Sequence, residues 1–169
     1  MRALGALLLV AGGFSFGICA LREKRSRIAA LRQIEAVLAL LCAELELHEA
    51  PLPEAVSNAA RHAEGMGKAL LHALEAQFPR LGEASFAQLW TAAVTRTCVP
   101  LLPQERDELN LLGHSLGRYE LSAQLRELHA CCAFLEERRN AAEQAFPGER
   151  RLLLGLSAAA GAFLAILLL

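Results

Sequence analysis

The sequence predicts an all-α protein, in which an antiparallel bundle of about six helices lies between two transmembrane helices. Three observations lead to this fold class. Apolar residues recur three and four positions apart through the middle of the chain, and β-branched residues are few and never alternate. No charged residue occurs between Ala3 and Leu21 or between Leu152 and Leu169. Amphipathic helices joined by short turns are expected to pack as an antiparallel bundle.

The two uncharged runs are each long enough to cross a bilayer core of about 30 Å as a helix. They predict transmembrane helices at 1–21 and 149–169, with a helical domain at 22–148 between them. A cleavable signal peptide is the alternative for the first run, but its apolar stretch is longer than a usual signal core and only Arg2 precedes it.

Basic residues border the middle domain on both sides. They follow the first run at Arg22, Lys24, Arg25 and Arg27, and they precede the second at Arg138, Arg139, Arg150 and Arg151. By the positive-inside rule, both borders belong in the cytoplasm. We therefore predict a cell-membrane protein whose soluble domain faces the cytoplasm.

The charge of the middle domain argues against nucleic acid as a partner. All 18 acidic residues and 16 of the 17 basic residues lie there, so its net charge is −2. The five cysteines are odd in number and show no C-x-x-C spacing, which indicates free thiols in a reducing compartment. No Glu-x-x-His pair or phosphate-binding loop is present, so the sequence predicts no metal and no cofactor.

Six helices can be placed along the domain. The first continues from the terminal run without proline or glycine and ends before Pro51. Pro53, Ser85 with Gln88, and Pro103 with Glu105 are typical helix starts. Glycines at 65 and 67 and prolines at 79 and 100 separate the short helices. After the first helix, the predicted helices cover about 53–63 and 68–78, then run from Ser85 to before Pro100, and then cover 103–113 and 119–145, with a break at Pro147-Gly148.

The pentapeptide Gly113-His114-Ser115-Leu116-Gly117 allows two interpretations. As Gly-x-Ser-x-Gly it matches the nucleophile elbow of a membrane-bound serine esterase that would use Ser115. That elbow needs a buried strand before the serine, whereas the preceding residues 104–112 carry four charges and have helical spacing. The sequence therefore favours a turn between helices, with Gly113 ending one helix and Gly117 at positive φ.

An acidic cluster lies near the end of the first helix and the start of the second. It consists of Glu44, Glu46, Glu49 and Glu54. Such clusters are usually ordinary solvated surface. The alternative is a docking surface for a basic cytoplasmic partner.

The order of these segments resembles the stage III sporulation protein AB family over essentially the whole chain. The resemblance is carried by Pro51-Leu52-Pro53-Glu54-Ala55, by Trp90, and by Leu116-Gly117 followed by Gln124. Glu120 stands where the family has Asp, and Tyr119 departs from the family's Ser, which removes the usual hydroxyl cap.

The resemblance implies a specific function. The family is similar to the inner-membrane platform proteins of type II secretion and type IV pilus machines, and it belongs to a channel complex between mother cell and forespore. A non-enzymatic membrane platform is thus expected, with its soluble domain in the mother-cell cytoplasm. The implied partners are a cytoplasmic secretion-type ATPase, other channel proteins, membrane lipid and further copies of the chain. The alternative is a platform subunit of a pilus or secretion system unconnected with spores.

Overall fold

The computed structural model describes residues 2–48, 51–117 and 120–168. Within these ranges it has six α-helices, a 3₁₀ helix at Phe78–Arg80 and no strand. The α-helices are α1 (Arg2–His48), α2 (Leu52–His62), α3 (Gly65–Glu75), α4 (Phe86–Thr97), α5 (Pro103–Ser115) and α6 (Leu121–Leu168). The predicted all-α class is confirmed.

The chain divides into two compact units. One comprises Ala29–Arg139, and the other comprises Met1–Ile28 together with Asn140–Leu169. The spans predicted at 1–21 and 149–169 find no support here: within the described residues, no helix is both long enough and apolar enough to cross a membrane.

The unit formed by Ala29–Arg139 has a continuous apolar core. In it, α2 packs on α3, α3 on α4, and α4 on α5. The apolar positions of α1 between Ala30 and Leu45 are spaced three and four residues apart, so one face of this part of the helix is buried. The largest fully buried side chains are Trp90, Leu31, Ile34, Leu38, Leu41, Leu70, Leu71, Leu74, Leu89, Leu109, Leu116 and Leu128.

The start of α3 differs from the prediction because its glycines have another role. Gly65 has φ +54°, and a Cβ on Gly67 would lie 2.7 Å from the backbone oxygen of Gln33 on α1. The backbone N–H of Met66 donates to the side-chain oxygen of Gln33 at 2.7 Å. The two glycines therefore do not separate two helices as predicted, because α3 begins at Gly65. They let the first turn of α3 approach α1 closely.

The predicted break at Pro147-Gly148 is wrong, because α6 continues through Pro147 to Leu168. A proline inside a helix removes one backbone hydrogen bond and crowds the preceding turn, which favours a kink or a break. The residues on both sides are rich in alanine, glutamate and leucine, which are strong helix formers. Their preference outweighs the local cost of the proline.

Candidate partner surface

The Ala29–Arg139 unit brings α1 and α6 together as an antiparallel pair. Arg139 Nε donates to both carboxylate oxygens of Glu35, each at 3.0 Å, and both side chains are only 18% exposed. Further along, His129 Nε2 lies 3.7 Å from Glu46 Oε1. Residue numbers rise along α1 as they fall along α6, so the two contacts define the register of the pair.

The junction between α1 and α2 is held by polar side chains. Asn58 Nδ2 donates to Glu44 Oε2 at 3.0 Å, and Arg61 donates to the side-chain oxygen of Asn58. Pro51 is the N-cap residue of α2, with φ −54° and ψ 140°, and the helix begins at Leu52 with the predicted Pro53 in its first turn. Proline is well suited to this position because the first N–H groups of a helix have no partner within it.

We call Glu44, Glu46 and Glu54 the acidic surface; the fourth predicted member, Glu49, lies outside the described residues. Glu44 is half-buried towards α2, whereas the exposed Glu46 faces His129 on α6. Glu54 is exposed in the first turn of α2, where a carboxylate is favoured by the helix dipole. These acids thus lie around the end of α1, near Arg61 on α2 and His129 on α6. Sequence reasoning missed both of these neighbours, since contacts between distant residues leave no periodic signal.

Ser115 does not have the geometry of a nucleophile. It lies within α5, not after a strand, and it is 7% exposed. Its hydroxyl donates to the backbone oxygen of Leu111 at 3.4 Å, the residue one turn earlier in the same helix. A nucleophile elbow would instead expose the serine between a strand and a helix. The turn interpretation of this segment is therefore correct.

Gly113, however, does not end α5 as predicted. The helix continues to Ser115, with Leu116 as its C-cap residue. A Cβ on Gly113 would lie 2.3 Å from Cδ1 of Trp90, far closer than a normal contact. The glycine is required by packing against α4, which the local sequence does not reveal.

The turn from α5 to α6 is built as predicted around Gly117. This residue has φ +77°, in the left-handed region that glycine favours. Its N–H donates to Oε1 of Gln124 at 3.2 Å, while the Glu120 carbonyl accepts from the Ala123 and Gln124 N–H groups. Gln124 thus ties the first turn of α6 back to the loop. Tyr119 lies outside the described residues.

We expect Gly117→Val to destabilise the protein by about 1 kcal/mol or more, because a β-branched residue is strained at positive φ. Gly117→Asn is the matched variant, since asparagine tolerates this conformation far better. Urea unfolding followed by helical circular dichroism measures both. Equal stability of the valine and asparagine variants would contradict this account of the turn.

Metal binding has no support among the described residues, where no group of three or more His, Cys, Asp or Glu side chains could hold an ion. The thiols differ in environment. Burial raises the pKa of Cys131 to about 12 and also raises that of Cys98. Cys42 on α1 and Cys132 on α6 influence each other: the pKa of the Cys42 thiol is raised and that of the Cys132 thiol is lowered, in each case chiefly through the other thiol.

The fold and the surface define a helical-bundle protein in which polar side chains join helices to one another. Comparison with protein families gives a more specific result. The model of "Stage III sporulation protein AB (spore_III_AB)" matches residues 2–169, and the chain belongs to that family.

A solved structure supports the same conclusion. It is described as stage III sporulation protein AB (SpoIIIAB), and it matches this chain with a TM-score of 0.64 and 25% sequence identity. The match covers 72% of this chain and 97% of the other. A search of curated proteins finds no match. The family predicted from the sequence is thereby confirmed.

Proposed function

We propose that this protein is a non-enzymatic membrane platform of the sporulation channel between mother cell and forespore. Its bundle docks a cytoplasmic secretion-type ATPase and other channel proteins. The observation that carries the proposal is membership of the stage III sporulation protein AB family over residues 2–169. Membership of this family also favours a role in sporulation over a role in a pilus or secretion system unconnected with spores.

Attachment to the membrane is part of the proposal and rests on the sequence. The uncharged runs from Ala3 to Leu21 and from Leu152 to Leu169 are the proposed anchors. The basic residues that border them favour the cytoplasmic side for the bundle. In this arrangement the bundle of the mother-cell protein is accessible to a cytoplasmic ATPase.

The geometry of the bundle supports positioning as its mechanism. Ser115 is occupied by a hydrogen bond within α5. Arg139 Nε instead donates to both carboxylate oxygens of Glu35 and fixes α1 against α6, so the surface near the end of α1 has a defined shape. A rigid bundle of this kind can hold a motor protein at a fixed place beside the membrane.

We propose the acidic surface as the docking site for a basic region of the ATPase. Glu46 and Glu54 are exposed, and neither is needed to fill the apolar core. Carboxylates at the rim of an interface steer a basic partner and select its orientation. Further copies of the chain would multiply these weak contacts, as linked binding sites do.

The test is complementation of a deletion strain of a spore-forming bacterium. Deletion is expected to arrest the forespore after engulfment, and the full chain is expected to restore spores. The double variant Glu46→Lys/Glu54→Lys should be recovered in the membrane fraction but bind the ATPase about tenfold more weakly, equal to about 1.4 kcal/mol. Normal spores from the deletion strain would overturn the sporulation role.

The matched control is Glu83→Lys/Glu137→Lys, which makes the same charge change at two other exposed acids. It should keep wild-type binding to the ATPase and wild-type spore numbers. If both double variants bind equally well, the acidic surface is not the docking site, while the platform role stands on the deletion result.

A further inference from the structure

Cys42 and Cys132 face each other across the α1–α6 pair. They lie between the two polar contacts that set its register, Arg139 with Glu35 on one side and His129 with Glu46 on the other. Cys42 lies two helical turns after Glu35 and Cys132 lies two turns before Arg139, so the register of the pair places the two thiols opposite each other. Two thiols that face each other on neighbouring helices need little movement to form a bond.

The two thiols differ in a way that suits oxidation chemistry. Cys42 is 6% exposed, whereas Cys132 is partly exposed at the surface of the bundle. The neighbouring Cys42 thiol lowers the pKa of the Cys132 thiol, against the opposing effect of burial. Thiolate is the form that reacts with oxidants, so Cys132 is the reactive member of the pair.

The neighbouring cysteine has the opposite character. Cys131 precedes Cys132 in α6 but is 2% exposed, and burial raises its pKa to about 12. Successive residues of a helix point about 100° apart, so Cys131 faces the core while Cys132 faces α1. Cys131 is the neighbour of Cys132 in the sequence, but it is directed away from it. The pairing of Cys42 with Cys132 therefore results from the packing of α1 against α6.

We propose that Cys42 and Cys132 form a redox-active thiol pair, which a peroxide oxidises to a disulfide between α1 and α6. The Cys132 thiolate attacks one peroxide oxygen and the O–O bond breaks. This leaves Cys132 as a sulfenic acid, and the departing hydroxide takes up the proton that the thiol had released, giving water. The Cys42 sulfur then attacks the Cys132 sulfur, and the S–O bond breaks with loss of a second water.

The overall reaction balances: the two thiols lose two electrons and two protons to form the disulfide, and hydrogen peroxide takes them up to become two molecules of water. The disulfide fixes the register of α1 against α6 covalently until a cellular thiol reduces it. The pair thus makes the bundle sensitive to oxidants. This property does not depend on the proposed ATPase docking.

The test uses the reduced full chain in detergent, exposed to hydrogen peroxide, alkylated and digested with trypsin. Cleavage after arginine places Cys42 in peptide 33–61 and both Cys131 and Cys132 in peptide 127–138. We expect a disulfide between these two peptides in a large share of monomeric chains, and we expect dithiothreitol to remove it. Over-oxidation of Cys132 to sulfinic acid without this link would overturn the proposal.

Serine variants identify the partners. Cys131→Ser should still form the link between the two peptides, and Cys19→Ser should also behave as wild type. Cys132→Ser and Cys42→Ser should both abolish it. A link that survives Cys132→Ser, a loss of the link in Cys131→Ser, or oxidation that joins only Cys19 of separate chains would each contradict the assignment. Even if a variant folds poorly, the wild-type peptide map shows whether peptides 33–61 and 127–138 are joined, and fragmentation between Cys131 and Cys132 shows which of the two carries the link.

Discussion

Replacing Trp90 by alanine is expected to cost about 3–5 kcal/mol of the free energy of unfolding, a large part of the stability of an ordinary domain. The side chain is fully buried, and its Nε1 donates to the backbone oxygen of Leu109 on α5 at 2.7 Å. It also stacks on Phe86, with ring centroids 6.0 Å apart. The substitution removes the largest side chain of the core and leaves a cavity between α4 and α5.

Urea unfolding of the full chain, followed by circular dichroism, measures this loss. Trp90→Phe keeps an aromatic ring but removes the N–H donor. We expect it to lower the free energy of unfolding by less than Trp90→Ala does, with a difference of about 1 kcal/mol or more. Leu111→Ala is the control on α5, because Leu111 is 59% exposed and its loss should stay within about 0.5 kcal/mol. A Trp90→Ala protein as stable as the control would contradict the described packing.

The parts of this fold that the sequence predicts are those with a local physical cause. The capping box of Ser85 and Gln88 opens α4, and Pro103 opens α5 with Glu105 accepting from the Leu102 N–H. Gly117 takes positive φ because the turn itself requires it. In each case the residue type and its close neighbours contain the needed information.

The features that escaped prediction depend on residues far apart in the chain. Gly67 is fixed by its approach to Gln33, and Gly113 by its approach to Trp90. The same holds for the site: Asn58 meets Glu44, and Cys42 meets Cys132, only after the helices have packed. No periodic pattern in a single sequence predicts such pairs. The acidic residues could be identified as candidates, but their neighbours Arg61 and His129 could not.

The second large effect is expected at Gly113, where even a methyl group is excluded. Alanine there should cost about 2 kcal/mol through overpacking, although alanine is a better helix former than glycine by about 1 kcal/mol. A Cβ would lie 2.3 Å from Cδ1 and 2.7 Å from Cγ of Trp90. The indole cannot move away easily, because it is fully buried and hydrogen-bonded to Leu109. The same urea unfolding experiment measures the change.

Two comparisons separate this clash from a general effect of the glycine. Gly148→Ala places a methyl group where no atom lies within 4 Å, so it should be neutral or stabilising. In a Trp90→Leu background the indole is gone, and Gly113→Ala should then cost little or nothing. The resulting coupling energy should exceed about 1 kcal/mol, as expected for residues in direct contact. If Gly113→Ala costs the same in both backgrounds, the close approach of α4 and α5 at this glycine is wrong.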